Sequence, residues 1–409
     1  MPIKVNGARL WENLMQMAKI GGTAKEGCNR QALTDLDIKG RALFSDWCRK
    51  IGLQIQYDAV GNMFARLDGR DNHLNPLVIG SHLDTQPTGG KYDGVLGVLA
   101  GLEVMTRIVE EKIIPERPIE IACWMNEEGA RFAPAMMGSG VWAGMLDLGE
   151  VRASIDLEGI SVGIELDRHG YSSHPDPQDK DIAAYLELHI EQGPVLEAEG
   201  KDVGVVTGAQ GIRWYDVVLT GQETHAGPSP MAMRHDPMRL VPALVQGILE
   251  IGTRDEAARA TIGQVHTAPF SRNVVPGKVV VSVDLRHPNE QVLQSMHDDL
   301  ATLVSELTGE DRKLTSILEE IWHSPVVAFD AGLVTSIRRG AKELGYSYCD
   351  IVSGAGHDSL MVARKVPTAM IFTPCRDGIS HNESEHIEPH QAEAGANVLL
   401  AAVLDYLGS

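Results

Sequence analysis

The sequence predicts an α/β protein in which a central sheet is flanked by helices and an α+β domain is inserted into the chain. Apolar runs at 76–79 and 118–124 indicate strands that end in polar loops, and a helix-length apolar run at 94–110 separates them. This alternation is typical of α/β folds, in which ligand-binding loops follow the strands. The pattern of predicted strands and helices changes after about residue 212, and the strand–helix alternation returns near the end of the chain. We therefore expect a main domain formed by residues 1–212 and 327–409, interrupted by an inserted domain at 213–326.

Hydrophobic periodicity predicts the other elements. Two amphipathic stretches before the first strand predict helices at 9–18 and 36–51. Within the insertion, the patterns predict strands at 213–220, 279–286 and 314–321 and helices at 237–251 and 291–307. After the insertion, they predict a helix at 331–344, a strand at 366–372 and a closing helix from Pro389.

Composition and charge exclude several classes of protein. With 36 Lys and Arg against 56 Asp and Glu, the net charge is −20 and no basic stripe interrupts it, so nucleic-acid binding is not expected. The chain has no apolar run of about 18 residues and no apolar signal-peptide core, so no membrane span or export is expected. Five scattered cysteines without a C-x-x-C pair fit a reducing compartment, and we expect a cytoplasmic protein.

The clearest signal for chemistry follows the strand predicted at 76–79. His82 stands at the strand end and can reach a metal ion. Asp84, two residues later, can accept the other ring N–H of His82 and so fix its tautomer. A surface or helix-capping role for this pair is the alternative. Asp93 opens the next helix, where an aspartate is ordinarily an N-cap, but it shares one strand–loop–helix unit with His82.

Four further polar residues lie at or after predicted strand ends: Glu127, Glu128, His189 and His381. Adjacent acids on a loop are usually solvated, but a buried strand precedes the two glutamates. Imidazole and carboxylate ligands without thiolates suit zinc, manganese, cobalt or nickel in an open catalytic site. One carboxylate could bridge two metal ions, and one of the adjacent glutamates could bind metal while the other stays free as a base.

Together these motifs resemble the di-zinc peptidase/aminoacylase superfamily, and specifically its hydantoinase/carbamoylase amidase branch. The resemblance covers nearly the whole chain in order. It rests on strings that are specific to the branch, at 80–85, 137–139, 189–194, 224–227, 273–277, 353–358 and 380–383. It implies a catalytic domain that holds two divalent metal ions, with zinc expected and manganese, cobalt or nickel as alternatives. It also implies that the inserted domain is a lid that dimerises the protein.

The resemblance assigns roles to the residues of the main domain. It implies that His82 and His189 bind one metal ion each, or share metal ions with the neighbouring ligands. It also implies that Asp93 bridges the two metal ions. Glu128 and His381 would complete the two ligand shells. Glu127 would be the general base, and Asp84 would orient His82.

Substrate contacts are assigned in the same way, with three of them on the inserted domain. Arg286 could clamp a substrate carboxylate with two hydrogen bonds, and Asn273 could donate to the same group. His225 could stabilise the oxyanion formed on a ureido carbon. Gln192 and His357 would contact the ureido group and the rest of the substrate. The alternatives are a strand-end ion pair for Arg286 and a simple loop position for His225.

The activity that the resemblance implies is hydrolysis of the carbamoyl amide of an N-carbamoyl amino acid, giving the amino acid, carbon dioxide and ammonia. The amino acid could be an L-α-amino acid or β-alanine. Allantoate and ureidoglycolate amidohydrolases, and peptidases or aminoacylases of the same superfamily, are the rival enzymes. A metal-binding scaffold that has lost catalysis is the non-enzyme alternative, but a free Glu127 beside the ligands argues against it.

Overall fold

The fold was analysed in a computed structural model, which describes residues 2–309 and 313–408. The α-helices are α1 Gly7–Ala18, α2 Asp35–Lys50, α3 Val95–Glu110, α4 Met137–Trp142, α5 Leu148–Ala153, α6 Val162–Arg168, α7 Val195–Ala198, α8 Val241–Thr253, α9 Glu290–Glu306, α10 Ala331–Leu344, α11 Asp358–Val362 and α12 Pro389–Tyr406. The first seven strands are β1 Gln54–Tyr57, β2 Met63–Leu67, β3 Leu77–His82, β4 Ile119–Trp124, β5 Ala184–Ile190, β6 Val203–Ala209 and β7 Gly211–Thr220. The others are β8 Thr224–His225, β9 Arg259–Ala268, β10 Val274–Val275, β11 Lys278–His287, β12 Thr315–Ser324, β13 Val327–Ala328, β14 Tyr348–Ser353 and β15 Thr368–Thr373.

The described chain divides into two compact units. The first, which we call the main unit, combines Met1–Gly208 with Ala328–Ser409, and the second, the inserted unit, is Ala209–Val327. None of the described helices has the length and apolar character needed to cross a bilayer. The mixed α/β architecture confirms the fold class that the sequence predicts.

The main unit is built on a mixed sheet of nine strands in the order β1-β2-β4-β3-β5-β15-β6-β13, with β14 also paired to β6. Its central strands β4, β3, β5 and β15 run parallel to one another. They are buried on both faces, as is usual when helices cover a parallel sheet. The carboxyl ends of these four strands therefore meet at one edge.

The polar residues at that edge arise from the local sequence. β3 runs on to His82, beyond the apolar stretch at 76–79 that predicts it, because the small residues Gly80 and Ser81 also fit the buried sheet. α3 then begins at Val95 and is buried around most of its surface, as its continuous apolar sequence predicts. The loop between β3 and α3 thus lies at the carboxyl edge of the sheet and carries Asp84 and Asp93.

The inserted unit is a four-stranded antiparallel sheet in the order β12-β7-β11-β9, with α8 and α9 packed on one face. Val279, Val281, Val283 and Leu285 alternate along β11 and point into the core beneath the helices. A separate two-stranded ribbon pairs β8 with β10. The strand β9, which the sequence patterns do not predict, is mostly exposed and contains Gly263 and Gln264, so it lacks a clear apolar alternation.

Candidate metal centre

His82 is held at the end of β3 by hydrogen bonding and close packing. Its Nδ1 lies 2.9 Å from the backbone carbonyl of Asp84, so Nδ1 carries the proton and Nε2 is free to act as a ligand. Gly94 packs against this ring so closely that an added Cβ would lie 2.3 Å from ring atoms. Gly94 also has a φ of +67°, which favours glycine. Position 94 therefore requires glycine for two reasons.

Asp84 is adjacent to His82, but its carboxylate does not orient the ring as expected. The nearest carboxylate oxygen lies 3.9 Å from His82 Nδ1, beyond hydrogen-bonding distance. That carboxylate instead accepts the backbone N–H groups of Glu127, at 3.4 Å, and Glu128, at 3.2 Å. The expectation is corrected in this respect: the main-chain carbonyl of Asp84 fixes the histidine, and its side chain fixes the loop that carries both glutamates.

Asp93 is the centre of the cluster. Its Oδ1 lies 3.1 Å from Nε2 of His189, and its Oδ2 lies 3.4 Å from Nε2 of His381. Two donors also reach Oδ2: the Gln192 amide at 2.8 Å and the Ser380 hydroxyl at 3.0 Å. The two oxygens thus face different histidines, as a bridging carboxylate requires.

The adjacent glutamates turn to different neighbours. Glu128 Oε2 lies 3.3 Å from Nε2 of His381 and accepts a hydrogen bond of 2.7 Å from the Gln86 amide. Glu127 Oε2 lies 3.4 Å from Nε2 of His82. The pair therefore divides between the two sides of the cluster.

Two groups of potential ligand atoms share Asp93, and within each group these atoms lie within 4.8 Å of one another. The first group is His82, Asp93 and His189, and the second is Asp93, Glu128 and His381. His82 and His189 therefore lie together in the first group. Glu127 belongs to neither group.

Burial and crowding shift the ionisation of these residues. Burial raises the pKa of Glu128 to about 7, and the nearby charge of Asp93 adds to that shift. Burial likewise raises the pKa of Glu127 well above its usual value. Burial alone would lower the pKa of His82, but the charges of Glu127, Asp93 and Asp84 raise it well above its usual value. Contact with Asp93 is the main reason that the pKa of His381 rises to about 9.

The donor set fits divalent cations. The two ligand groups together contain three imidazoles and two carboxylates and no cysteine, which matches the preference of zinc, manganese, cobalt and nickel. Because like-charged carboxylates are buried together, positive charge between them would offset their repulsion. The chemistry of the donor set therefore fits divalent metal ions.

His357 lies beside the first ligand group. It is buried, and its ring centroid is 4.5 Å from that of His189. Burial, with the charge of His189, lowers the pKa of His357 well below its usual value, so the ring is neutral. Its Nε2 has no hydrogen-bond partner among the residues described. The Gln192 amide nitrogen, by contrast, already donates to Asp93.

The inserted unit holds its three expected contacts at two places. His225 and Asn273 come together at the ribbon of β8 and β10, where His225 pairs with Val274 and Ala226 N–H donates to the Asn273 carbonyl. Arg286 lies near the end of β11 and binds Asp284 with hydrogen bonds of 2.9 Å from Nε and 2.8 Å from a terminal nitrogen. Arg286 therefore forms an ion pair with Asp284, and its side chain is partly exposed.

Sequence reasoning did not assign roles to Ser380 and Glu385. Both lie in the loop of His381, and Ser380 contacts the Asp93 carboxylate directly. Glu385 is buried and binds the backbone of the Asp93 loop. The available signal was an acid four residues after His381 in a segment with no strand or helix pattern.

Comparison with known proteins agrees with this geometry. The model of peptidase family M20/M25/M40 matches residues 78–405. The chain is 45% identical over 403 residues to an N-carbamoyl-L-amino-acid amidohydrolase of Rhizobium meliloti, covering 98% of this chain and 97% of that protein. It is 33% identical over 386 residues to an allantoate amidohydrolase of Bacillus subtilis, covering 94% and 93%.

A solved structure gives the same result. The crystal structure of a hydantoinase/carbamoylase family amidase from Burkholderia multivorans superposes with a TM-score of 0.92 at 48% sequence identity, covering 100% of this chain and 99% of the other. Its match spans both units of the fold. The chain belongs to peptidase family M20/M25/M40, as a hydrolase of the hydantoinase/carbamoylase amidase type.

Proposed function

We propose that this protein hydrolyses the carbamoyl amide of N-carbamoyl-L-amino acids with two bound divalent metal ions. The observation that carries the proposal is a pair of ligand groups that share Asp93 and leave the buried carboxylate of Glu127 outside both. A binding scaffold needs ligands but no spare base. The named activity of the Rhizobium meliloti relative supports the choice of an N-carbamoyl-L-amino acid.

In the proposed reaction a water oxygen bonds to the ureido carbon, and the bond from that carbon to the terminal nitrogen breaks. When bound, divalent metal ions supply Lewis acidity that polarises the carbonyl and acidifies water. Glu127 takes one proton from the water and delivers it to the departing nitrogen, which leaves as ammonia. The remaining carbamic acid transfers its proton to its nitrogen and loses carbon dioxide, which gives the amino acid. His357, neutral and without a partner at Nε2, is suited to contact the substrate.

We also propose that the substrate carboxylate is held by Arg286 and Asn273, and that His225 stabilises the oxyanion. Within one inserted unit these residues lie far apart. Lys278 and Arg286 are separated by eight positions of β11, which at the usual rise corresponds to roughly 27 Å. The ribbon with His225 and Asn273 continues from the Lys278 end, where Gly221 N–H donates to the Gly277 carbonyl. A small substrate cannot span this distance, which supports a homodimer in which two chains complete each site.

The homodimer and a cytoplasmic location remain parts of the proposal. Four of the five cysteines are buried and all five are unpaired, which fits a reducing compartment. We also propose that the inserted domain serves as a lid and as the dimerisation domain. No nucleic-acid or membrane partner is proposed.

The substrate is tested with a panel, in which released ammonia is the readout for the ureido compounds and released free amino acid is the readout for the N-acetyl compound and the dipeptide. The panel contains N-carbamoyl-L- and D-amino acids, N-carbamoyl-β-alanine, allantoate, ureidoglycolate, an N-acetyl amino acid and a dipeptide. We expect the highest kcat/KM for an N-carbamoyl-L-amino acid. A preference for allantoate or ureidoglycolate would move the protein to another ureido substrate. Cleavage of only the dipeptide or the N-acetyl compound would contradict the proposal, as would no hydrolysis by protein with both metals bound.

The two-chain arrangement is tested by combining two defective variants and measuring kcat/KM, that is, activity at substrate concentrations well below KM. Arg286→Ala and His225→Ala are produced together, so that mixed dimers form. If each site takes the two residues from different chains, a mixed dimer has one intact site, and we expect about a quarter of wild-type activity from random mixing. If both residues of a site come from one chain, every site carries a defect and no activity returns. Mixing the separately purified variants under conditions that prevent exchange is the control.

A further inference from the structure

Glu385 joins the two loops that hold the shared ligand and the exposed histidine of the candidate metal centre. Its Oε1 accepts the backbone N–H groups of Tyr92, at 3.0 Å, and Asp93, at 3.1 Å. Its Oε2 lies 2.9 Å from the hydroxyl of Ser380. Since Ser380 precedes His381, one buried side chain connects the Asp93 loop to the His381 loop.

The connection reaches the Asp93 carboxylate itself. The Ser380 hydroxyl lies 3.0 Å from Asp93 Oδ2, and the Gln192 amide donates to both Ser380 Oγ, at 3.0 Å, and Asp93 Oδ2, at 2.8 Å. Glu385 therefore fixes Asp93 directly at its backbone nitrogen, and the single hydroxyl proton of Ser380 lies within hydrogen-bonding distance of both the Glu385 and the Asp93 carboxylates. Such a hold limits rotation of the Asp93 carboxylate, whose two oxygens face different histidines.

Neighbouring residues pack closely around the side chain of Glu385. Its side chain is 4% exposed, and a Cβ added to Gly90 would lie 2.0 Å from its Oε1, so only glycine leaves room for the carboxylate. The ring of Tyr92, whose N–H it accepts, stacks on Trp11 at a centroid distance of 5.6 Å. The Glu385 carboxylate is therefore buried and closely packed against the Asp93 loop.

We propose that Glu385 is a positioning residue that orients Asp93 so that each of its oxygens can serve one of two metal ions. This inference rests on the proposed metal-dependent function. Glu385 belongs to neither ligand group, and it acts through hydrogen bonds to Asp93 and Ser380. Partners of this kind set ligand geometry, and their loss typically weakens metal binding or activity about 10–100-fold.

Substitution of Glu385 by glutamine distinguishes the hydrogen bonds of Glu385 from its negative charge. In Glu385→Gln, the amide oxygen can still accept the N–H groups of Tyr92 and Asp93, and the amide nitrogen can donate to Ser380 Oγ. Ser380 then donates its one hydroxyl proton to Asp93 Oδ2. The glutamine variant therefore keeps the whole network, whereas Glu385→Ala removes it.

The experiment compares the full-length wild type with Glu385→Ala, Glu385→Gln and Ser380→Ala. Cobalt(II) is the metal probe, with bound metal counted by elemental analysis, affinity measured by titration, and the visible absorption spectrum reporting ligand geometry. Glu103→Ala is the matched control, because Glu103 is also buried and accepts a backbone N–H, from Asn6 at 2.8 Å. The melting temperature and circular dichroism of each variant are measured alongside.

We expect Glu385→Ala to bind the second cobalt ion about 10–100-fold more weakly, with an altered spectrum and lower kcat. Glu385→Gln should resemble the wild type, and Ser380→Ala should fall between them. Glu103→Ala should lower the melting temperature but bind two cobalt ions normally. If Glu385→Ala does not fold, the Gln and Ser380→Ala variants decide the outcome.

Two results would overturn the inference. One is wild-type cobalt affinity and spectrum in folded Glu385→Ala, or in Ser380→Ala when the Glu385→Ala chain does not fold. The other is a Glu385→Gln variant as defective as Glu385→Ala, because charge rather than hydrogen bonding would then be responsible. If the wild type binds no metal at all, the proposed function fails instead, and the two failures are therefore distinguishable.

Discussion

The main unit and the inserted unit place their polar residues in opposite ways. In the main sheet, parallel strands bring residues that are far apart in sequence to one edge, so that Asp93 and His381 lie 3.4 Å apart across 288 positions of chain. In the inserted sheet, the antiparallel ladder of β7 and β11 keeps Arg286 at one end and the His225 ribbon beyond the other. Parallel topology assembles a centre within one chain, whereas a long antiparallel ladder separates its ends.

This difference explains which parts of the site can be predicted from sequence. Residues at the ends of apolar strands, such as His82 and His189, are recognisable because parallel strands share a carboxyl edge. The register of β11 cannot be read in the same way, because its pairing with β7 and β9 depends on the whole sheet. We therefore expect changes at the carboxyl edge of the main sheet to affect metal binding and the chemical step, and changes at Arg286 in the inserted unit to affect substrate binding.

Metal removal should have the largest effect. Dialysis against a chelator should reduce hydrolysis to background, because both ligand groups lie in the main unit and bear the chemistry. Zinc, manganese, cobalt or nickel should restore activity, whereas calcium, which prefers oxygen ligands, should not. Elemental analysis and ammonia release check this. Full activity in protein shown to be free of metal would contradict it.

Substitution of each of the two adjacent glutamates should distinguish the general base from the metal ligand. Glu127→Gln should retain both metal ions and lower kcat by about 10²–10⁴-fold, the usual contribution of a general base. Glu128→Gln is the matched control, and it should lose metal because Glu128 faces His381 at 3.3 Å. Metal analysis and steady-state kinetics on both variants decide the matter. Metal loss in Glu127→Gln with retention in Glu128→Gln would reverse the two roles.

Arg286 should produce a smaller effect, confined to substrate binding. Arg286→Lys keeps the charge but loses the planar pair of donors, so KM should rise about tenfold or more, with metal content unchanged. Arg259→Lys is the control, since Arg259 is the cross-strand partner of Arg286 on β9 and is exposed. Unaltered kinetics in Arg286→Ala would show that the substrate carboxylate is held elsewhere.

The hydrogen bonds that hold the ligands of the candidate metal centre cannot be predicted from the sequence. The Asp84 carboxylate misses His82 Nδ1 by about 1 Å relative to a normal hydrogen bond, and a local change in the loop decides between its side chain and its carbonyl. Glu385 has no recognisable pattern either, because its partners are two backbone N–H groups and a hydroxyl in distant loops. Strand ends indicate where ligands gather, but only the folded loops determine which atoms support them.

The smallest expected effect tests the difference between the two sheets directly. Ile121 lies on β4 with no exposure, whereas Ile317 lies on the helix-free face of β12 with 53% of its surface exposed. Ile121→Ala should cost roughly 2–5 kcal/mol, because it leaves a cavity in a close-packed core. Ile317→Ala should cost less than about 1 kcal/mol, because water already reaches that side chain. Urea unfolding of both variants, followed by fluorescence, measures the pair. Equal losses would mean that the helix-free face of the inserted sheet is as well packed in solution as the main sheet, and the distinction between a doubly covered and a singly covered sheet would fail.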